Sequence, residues 1–560
     1  MRQTFRPLLL SMVTVASLVV AFSAGPVSTA SSRFFGDDPL MREPETADAS
    51  RAEARETDLF YDFVYNSFAT PRRAKAGIRA GNVNTVDEVP DSSWYTNRLL
   101  DRTLSTRELT LGPNTLGATR LSLQGPGRAL TVIKPKSVGA APGVVVGCAN
   151  AETWFLSFDP KGYNESATGA LMVATRMFWA LGYNVPEHYL ADVRPEQFLI
   201  ADTAKVPTLS GRKRSMTRDD LDQVLARAAR NADGSYRVAA SRLVPGRVVG
   251  HFKYEGTRND DPNDIVPHEH RRELRALQVF GAWTNLVDIK ANNTLDTVVD
   301  DNGRAVVRHY LQDVGSTFGI GANGPHDYDE GFEHIYDGDA MVRRMLTLGF
   351  YTRPWQTEAK YERHRAIGRF EAETFEPRTW RSRLPAAALL HTRDDDAFWA
   401  ARRVAAFTDE MIRAAVATAE FSDPAAAQYL ADVLIARRDK VARAYLPAVN
   451  PLVDFVLAED GTLTFANAAV DARVADRPAG YRASWSLFDN TTGATRAIGD
   501  DTTGAGLHLR APTALPTVAG TYLRVEVAAV GASEAAWATP VQVTFRRSTD
   551  GWALVGVGRI

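Results

Sequence analysis

Cysteine is nearly absent from this chain: Cys148 is the only one, so no intrachain disulfide can form. A lone thiol is most often buried and inert. Charge of one sign is also lacking, the net value being −2, which gives no general attraction to nucleic acid. The triplet Arg212-Lys213-Arg214 falls short of a nucleic-acid patch and reads as a solvated loop. After the N-terminus there is no run of about 18 or more apolar residues, so no transmembrane anchor is expected in the mature chain. No G-x-S-x-G exists, which removes the nucleophile elbow of a serine hydrolase. His268 and His270 stand two apart, whereas the helical zinc motif needs histidines on one face at i and i+4.

What is present begins with the N-terminus. Arg2 and Arg6 precede an apolar run from Leu8 to Phe22, and Ser28-Thr-Ala30 supplies small residues for cleavage. Residues 1–30 therefore read as a secretory signal peptide, and the protein is expected to be exported to a periplasmic or extracellular space. Residues 31–57 form a polar leader expected to be mobile. The aromatics Phe60, Tyr61, Phe63, Tyr65 and Phe68 are expected to pack a helix onto the body. The polar and aromatic run Val86 to Arg98 reads as an ordered loop packed on a lobe.

The richest chemistry lies in Asp288-Ile-Lys290-Ala-Asn-Asn293 and, further on, Asp313-Val-Gly315. Phosphoryl transfer asks little covalent chemistry of a protein; it asks for groups that hold metal against phosphate oxygens and orient the attacking atom. Asp288, Asn293 and Asp313 supply hard oxygens of the kind magnesium prefers, and one or two protein carboxylates plus phosphates suffice for that ion. Leu274, Leu277, Phe280 and Trp283 recur at near-helical spacing and deliver the chain to this loop. Thr294-Leu295 begins a strand, Asp300-Asp301-Asn302-Gly303 reads as a hairpin turn, and Val306 to Leu311 returns toward Asp313. As loop residues, Asp288 and Asn293 are also suited to simple turn roles.

This arrangement resembles the catalytic core of the protein-kinase-like superfamily, in particular its atypical HipA-like and spore-coat CotH-like branches, over about residues 125–450. The resemblance implies an α+β, two-lobed protein-kinase-like core. It also implies that Asp288 is the catalytic base, that Lys290 contacts the transferring phosphate, and that Asn293 and Asp313 hold magnesium or manganese, with ATP as the nucleotide. Leu286 and Val287 replace the usual His and Arg, so activation by a phosphorylated loop is not expected, and Val314 stands where Phe is usual.

Upstream, the resemblance calls for a glycine-containing turn, a strand lysine and a helix glutamate. Leu130 to Ile133, Val144 to Gly147 and Trp154 to Phe158 read as three strands, with a turn holding Gly139 and Gly143 between the first two; a helix follows from Glu165 to Leu181. Ser157 occupies the expected lysine position. Lys134 or Lys136 from the first strand can replace it, adjacent strands lying about 5 Å apart; Lys161 is a further candidate. Otherwise the chain is a pseudokinase. Glu165 is the only acid early in the helix, and its simplest role is at the helix N-terminus.

The first lobe is thus assigned to 58–200 and a mainly helical second lobe to 201–450, with amphipathic spacing from Phe398 to Ala419 and from Ala425 to Tyr445. The acidic segment Arg258 to Asp264 reads as a solvated loop. Period-2 alternation at Ala483, Trp485 and Leu487, at Leu523, Val525 and Val527, and at Val541, Val543 and Phe545 marks residues 452–560 as a C-terminal Ig-like β-sandwich. Two functional readings follow. One is an exported kinase passing phosphate to a protein or envelope acceptor; the other is a silent kinase-fold scaffold with an adhesion-type sandwich.

Overall fold

The computed structural model describes residues 32–559 apart from 42–44, 74–76, 101–103, 124–128, 137–140, 148–151, 209–211 and 358–361. The segment 1–30, Gly139 and Cys148 lie outside the described residues. The fold is mixed α+β.

The first sheet is built from β1 (Leu130–Pro135), β2 (Gly143–Gly147), β3 (Thr153–Phe158), β4 (His188–Val193), β5 (Phe198–Ile200) and β6 (Tyr236–Arg242), in the order β4-β6-β3-β2-β1-β5. All neighbours are antiparallel except β1 and β5. The sheet takes a strand from residues 236–242, well past residue 200 where the first lobe was expected to end. Period 2 decides its faces. Val132, Val144, Val146, Trp154, Leu156, Phe158 and Val238 form one core with Leu221 and Leu225 of the 201–235 insertion. The opposite face receives α2 (Ser166–Ala180), whose Thr175 meets His188 and whose Thr168 meets Arg237. Helix α2 ends at Gly182, with φ +113 and so close to the Tyr95 ring that a Cβ there would stand 2.1 Å from a ring carbon. Only glycine fits.

Below the sheet, α3 (Leu277–Thr284) leads into a three-stranded sheet of β7 (Arg247–Gly250), β8 (Thr294–Asp301) and β9 (Arg304–Leu311). The β8–β9 turn has Asn302 and Gly303 both at positive φ, the conformation that matches strand twist in a two-residue hairpin. A lone helix, α4 (Gly338–Leu346), follows, then α5 (Asp394–Ala405), α6 (Asp409–Ala417) and α7 (Pro424–Tyr445). The single helix expected from 398 to 419 is two, because Thr408 caps a new start by accepting from the Met411 amide. Trp283 of α3 donates to the Leu434 carbonyl of α7, and Arg437 returns two bonds to Trp283 and Ala282.

Residues 452–559 form two sheets. One holds β10 (Leu452–Leu457), β11 (Thr462–Asn467) and the short strand His508–Arg510; the other centres on β12 (Gly480–Phe488), β13 (Tyr522–Val530), β14 (Val541–Ser548) and β15 (Gly551–Arg559). The rings of Phe465 and Tyr481 meet edge-on across them at 5.0 Å. One continuous core joins these sheets to the helical region.

Two segments depart from expectation. The leader is packed rather than mobile: Ala49 and Ala52 are buried with Val249 and Val307, and Phe34 stacks on Tyr522. The acidic segment 258–264 is an ionic knot in which Arg258, Asp261 and Asp264 are buried, with Asp264 accepting from the Arg258 amide and His268 and lying near Arg271. Paired charges of opposite sign are what permit such burial. The run 86–98 is likewise internal, Trp94 stacking on His309 with centroids 3.5 Å apart.

Candidate active site

The loop after α3 turns at Asn285, in the left-handed region, and then alternates: Val287, Ile289 and Ala291 are buried while Asp288 and Lys290 reach the surface of a cleft. Buried apolar anchors thereby hold the two polar side chains in place. Lys290 Nζ lies 2.9 Å from Asp288 Oδ2. Asn293 Nδ2 donates to the Asp288 carbonyl at 2.7 Å and to Oδ2 at 3.0 Å. With its amide nitrogen so engaged, Asn293 Oδ1 accepts no hydrogen bond from the described residues.

The hairpin brings Asp313 to the same place. Thr294 pairs with Leu311, and the Asn293 carbonyl accepts from the amides of both Gln312 and Asp313, at 2.9 and 3.1 Å. Asp288 precedes β8 and Asp313 follows β9, so both sit at the open end of one hairpin. Asp313 Oδ1 accepts from the Gly315 amide at 2.9 Å, which leaves its second oxygen without a partner among the described residues. Gly315 in turn lies against Leu171 of α2. Asn293 and Asp313 thus offer an amide oxygen and a carboxylate oxygen on adjoining backbone, a hard donor pair that fits a magnesium-type ion completed by phosphate and water.

Lys134 of β1 and Lys136, just past its end, reach the α2 side of the sheet through a bulge. The register shifts between Val132, opposite Val146, and Lys134, opposite Val145. Directly paired residues share a face, and the extra residue, Ile133, turns Lys134 and the following Lys136 away from the Val132 core. The stem of Lys136 crosses Gly143, where an added Cβ would approach it to 3.2 Å. Gly143 pairs with Ser157. Lys136 therefore lies beside the position that lacks a lysine, on the face that holds α2. Glu165, at the α2 entrance with φ +67, accepts from the Ser422 amide and lies 3.8 Å from Arg237 of β6, not beside either lysine.

Several contributors were not legible in sequence. Asp62 of α1 (Leu59–Phe68) is buried, accepts from the Ala291 amide, and has its carboxyl pushed up by burial. It clamps the 288–293 loop from outside. Tyr254 is buried near Asp62 and Asp288, and burial raises its phenol far above the ordinary value. The cleft, about 690 Å³, is lined by Asp288, Lys290, Phe63, Arg369 and Arg383. His326 backs it, bonded to Ser316 Oγ at 3.0 Å, and burial lowers its imidazole to about 3. Arg383 pairs with Glu330, and Arg369 lies over the Tyr328 ring at 4.1 Å. The clue for Asp62 was a lone acid inside an aromatic run, whose partner is far away in sequence.

No family model and no curated protein matches the chain. Among solved structures, the crystal structure of the Golgi casein kinase is similar with a TM-score of 0.31 and 9% identity, over 72% of this chain and 92% of that one. The Golgi casein kinase with Mn/ADP bound gives 0.27 and 9%, over 71% and 94%. At these scores the likeness is weak, and the functional reading rests on the site's own geometry.

Proposed function

We propose that this chain is an exported, atypical kinase-like phosphotransferase of the HipA-like and CotH-like kind, binding ATP with magnesium or manganese and passing phosphate to a protein or envelope acceptor. The observation that carries the reading is the continuous cluster in which Lys290 and Asn293 both bond Asp288 while the Asn293 carbonyl holds the Asp313 backbone. In this reading Asp288 takes the proton of the acceptor hydroxyl as its oxygen bonds to the transferred phosphorus and the bond to the leaving diphosphate breaks. Lys290 keeps the Asp288 carboxylate oriented and offsets phosphate charge. Asn293 and Asp313 hold the divalent ion, whose chemistry when bound is to neutralise phosphate oxygens. Lys136, across Gly143 from Ser157, supplies the phosphate-facing cation. The two C-terminal sheets serve as an Ig-like, adhesion-type sandwich.

A second reading is favoured by one observation. Helix α2, SATGALMVATRMFWA, contains no acid, and Glu165 is engaged by Arg237. A kinase fold without a lysine–glutamate pair suits a silent scaffold. Thermal unfolding with ATP, with and without magnesium or manganese, separates the two. The catalytic reading expects a metal-dependent stabilisation, about 2.7 kcal/mol at a hundredfold excess over Kd, that is lost in Asp313→Ala. Equal stabilisation of variant and wild type would sink the site assignment; no stabilisation of either would make the scaffold the working description.

A further inference from the structure

We propose that the projection formed by residues 338–350, together with the exposed aromatic side of α1, is a docking surface for an anionic lipid bilayer.

Helix α4 stands away from the body. Ala340 is its only buried residue, and every residue from Met341 to Phe350 is exposed. At about 100° per residue, Met341, Val342, Met345 and Leu346 fall on one arc of about 140°. Leu348 and Phe350, each 88% exposed, extend that apolar tip. Arg343 and Arg344 take the other side and make no ion pair with a described residue. The apolar surface continues onto α1 through Tyr336, whose ring meets Phe68 at 5.2 Å and Phe63 at 6.0 Å. Along α1 the expected packing holds only in part: Phe63 and Tyr65 are half-buried, whereas Phe60 is 78% exposed with Tyr61 and Phe68 also open to solvent. Water-facing apolar surface on this scale marks an interaction site.

Charge and shape select the occupant. A helix with Met, Leu and Phe on one side and unpaired arginines on the other, low in overall hydrophobicity, lies in the plane of a bilayer with its cations at anionic headgroups. A protruding element suits that insertion, whereas a groove would suit a partner helix. Asp337 caps α4, accepting from the Ala340 amide, and Asp339 is an exposed acid of the first turn, so both acids stand at the helix start while the arginines stand at the end nearer Leu348 and Phe350. Phe63 and Ile335 line the Asp288 cleft at the foot of this surface, so docking brings the cleft to the headgroup layer. The inference does not depend on nucleotide chemistry.

The test is sedimentation of the nucleotide-free protein with vesicles of phosphatidylglycerol and phosphatidylcholine, and with phosphatidylcholine alone, at low and high salt. Wild type is expected to bind the anionic vesicles, less so in high salt. The Leu348→Asp/Phe350→Asp variant is expected to lose at least about tenfold in partitioning, and Arg343→Glu/Arg344→Glu to lose the preference for anionic lipid. Val518→Asp, at an exposed valine in the C-terminal region, is expected to bind as wild type does. Absence of wild-type binding, or binding by the two surface variants equal to wild type, would overturn the proposal. So would a wild-type dimer without vesicle binding that the Leu348/Phe350 variant abolishes, since a second copy would then own the surface.

Discussion

In the proposed kinase-like reading, Lys136 is the residue on which nucleotide binding would turn, because Ser157 leaves the β3 position without charge and the β1 bulge brings Lys136 beside it. Lys136→Ala is expected to weaken ATP binding about tenfold or more, a single charge-assisted contact being worth roughly 1.5–3 kcal/mol, with thermal stability in the absence of nucleotide nearly unchanged. Titration calorimetry checks this, and an unchanged Kd would remove Lys136 from the site. At this scale the sequence was informative where chemistry is local. Asp288, Lys290, Asn293 and Asp313 declare themselves by type and order, and the hairpin between them by its Asn-Gly turn. It was uninformative where the partner is remote: nothing near Asp62 announces the Ala291 amide, and nothing near Glu165 announces Arg237.

Among the elements, α5 has the most demanding position. Its first turn holds Asp395 and Asp396, and Asp396 meets Arg272 at 3.0 Å and Arg275 at 2.9 Å in a fully buried pairing. Arg272 also reaches Asp87, and these partners hold its guanidinium above its ordinary range against the cost of burial. Asp396→Ala leaves two buried cations short of a partner and is expected to cost about 3–5 kcal/mol, read as a lower midpoint in urea; a change below about 1 kcal/mol would show the pair to be dispensable. As three acids in the first turn of a helix, Asp394, Asp395 and Asp396 suit dipole stabilisation of its start. That role is real for the first turn but says nothing of the arginines behind it. Three strands of the first sheet, near 130–133, 144–147 and 154–158, were readable in sequence, whereas its member at 236–242 was hidden behind the 35 residues 201–235, which only tertiary pairing spans.

Across the whole molecule, stability should respond to acid through histidines that the fold keeps neutral. His188 in the first sheet and His326 behind the cleft are both lowered to about 3, chiefly by burial, with Arg176 and Arg383 adding to it; His270 and His334 shift the same way. Unfolded, such groups bind a proton below about 6.5, and folded they do not. Stability therefore falls as pH drops through 6.5 and this contribution levels off near 3, with a slope of roughly 1.4 kcal/mol per pH unit for each histidine. Denaturant midpoints of wild type and of a His188→Asn/His326→Asn double variant should diverge in slope across that window; parallel slopes would refute the assignment. The ion pairs of buried Asp87 and half-buried Glu88 carry a different consequence, one concerning time. These acids leave the ribosome early, yet their partners are Arg272, Arg402, Arg403 and, beside Asp87 at 3.6 Å, Arg559 of the last strand. Until Arg272, Arg402 and Arg403 have been synthesised, Asp87 and Glu88 lack these partners, so their folded surroundings cannot form while only the first half of the chain exists.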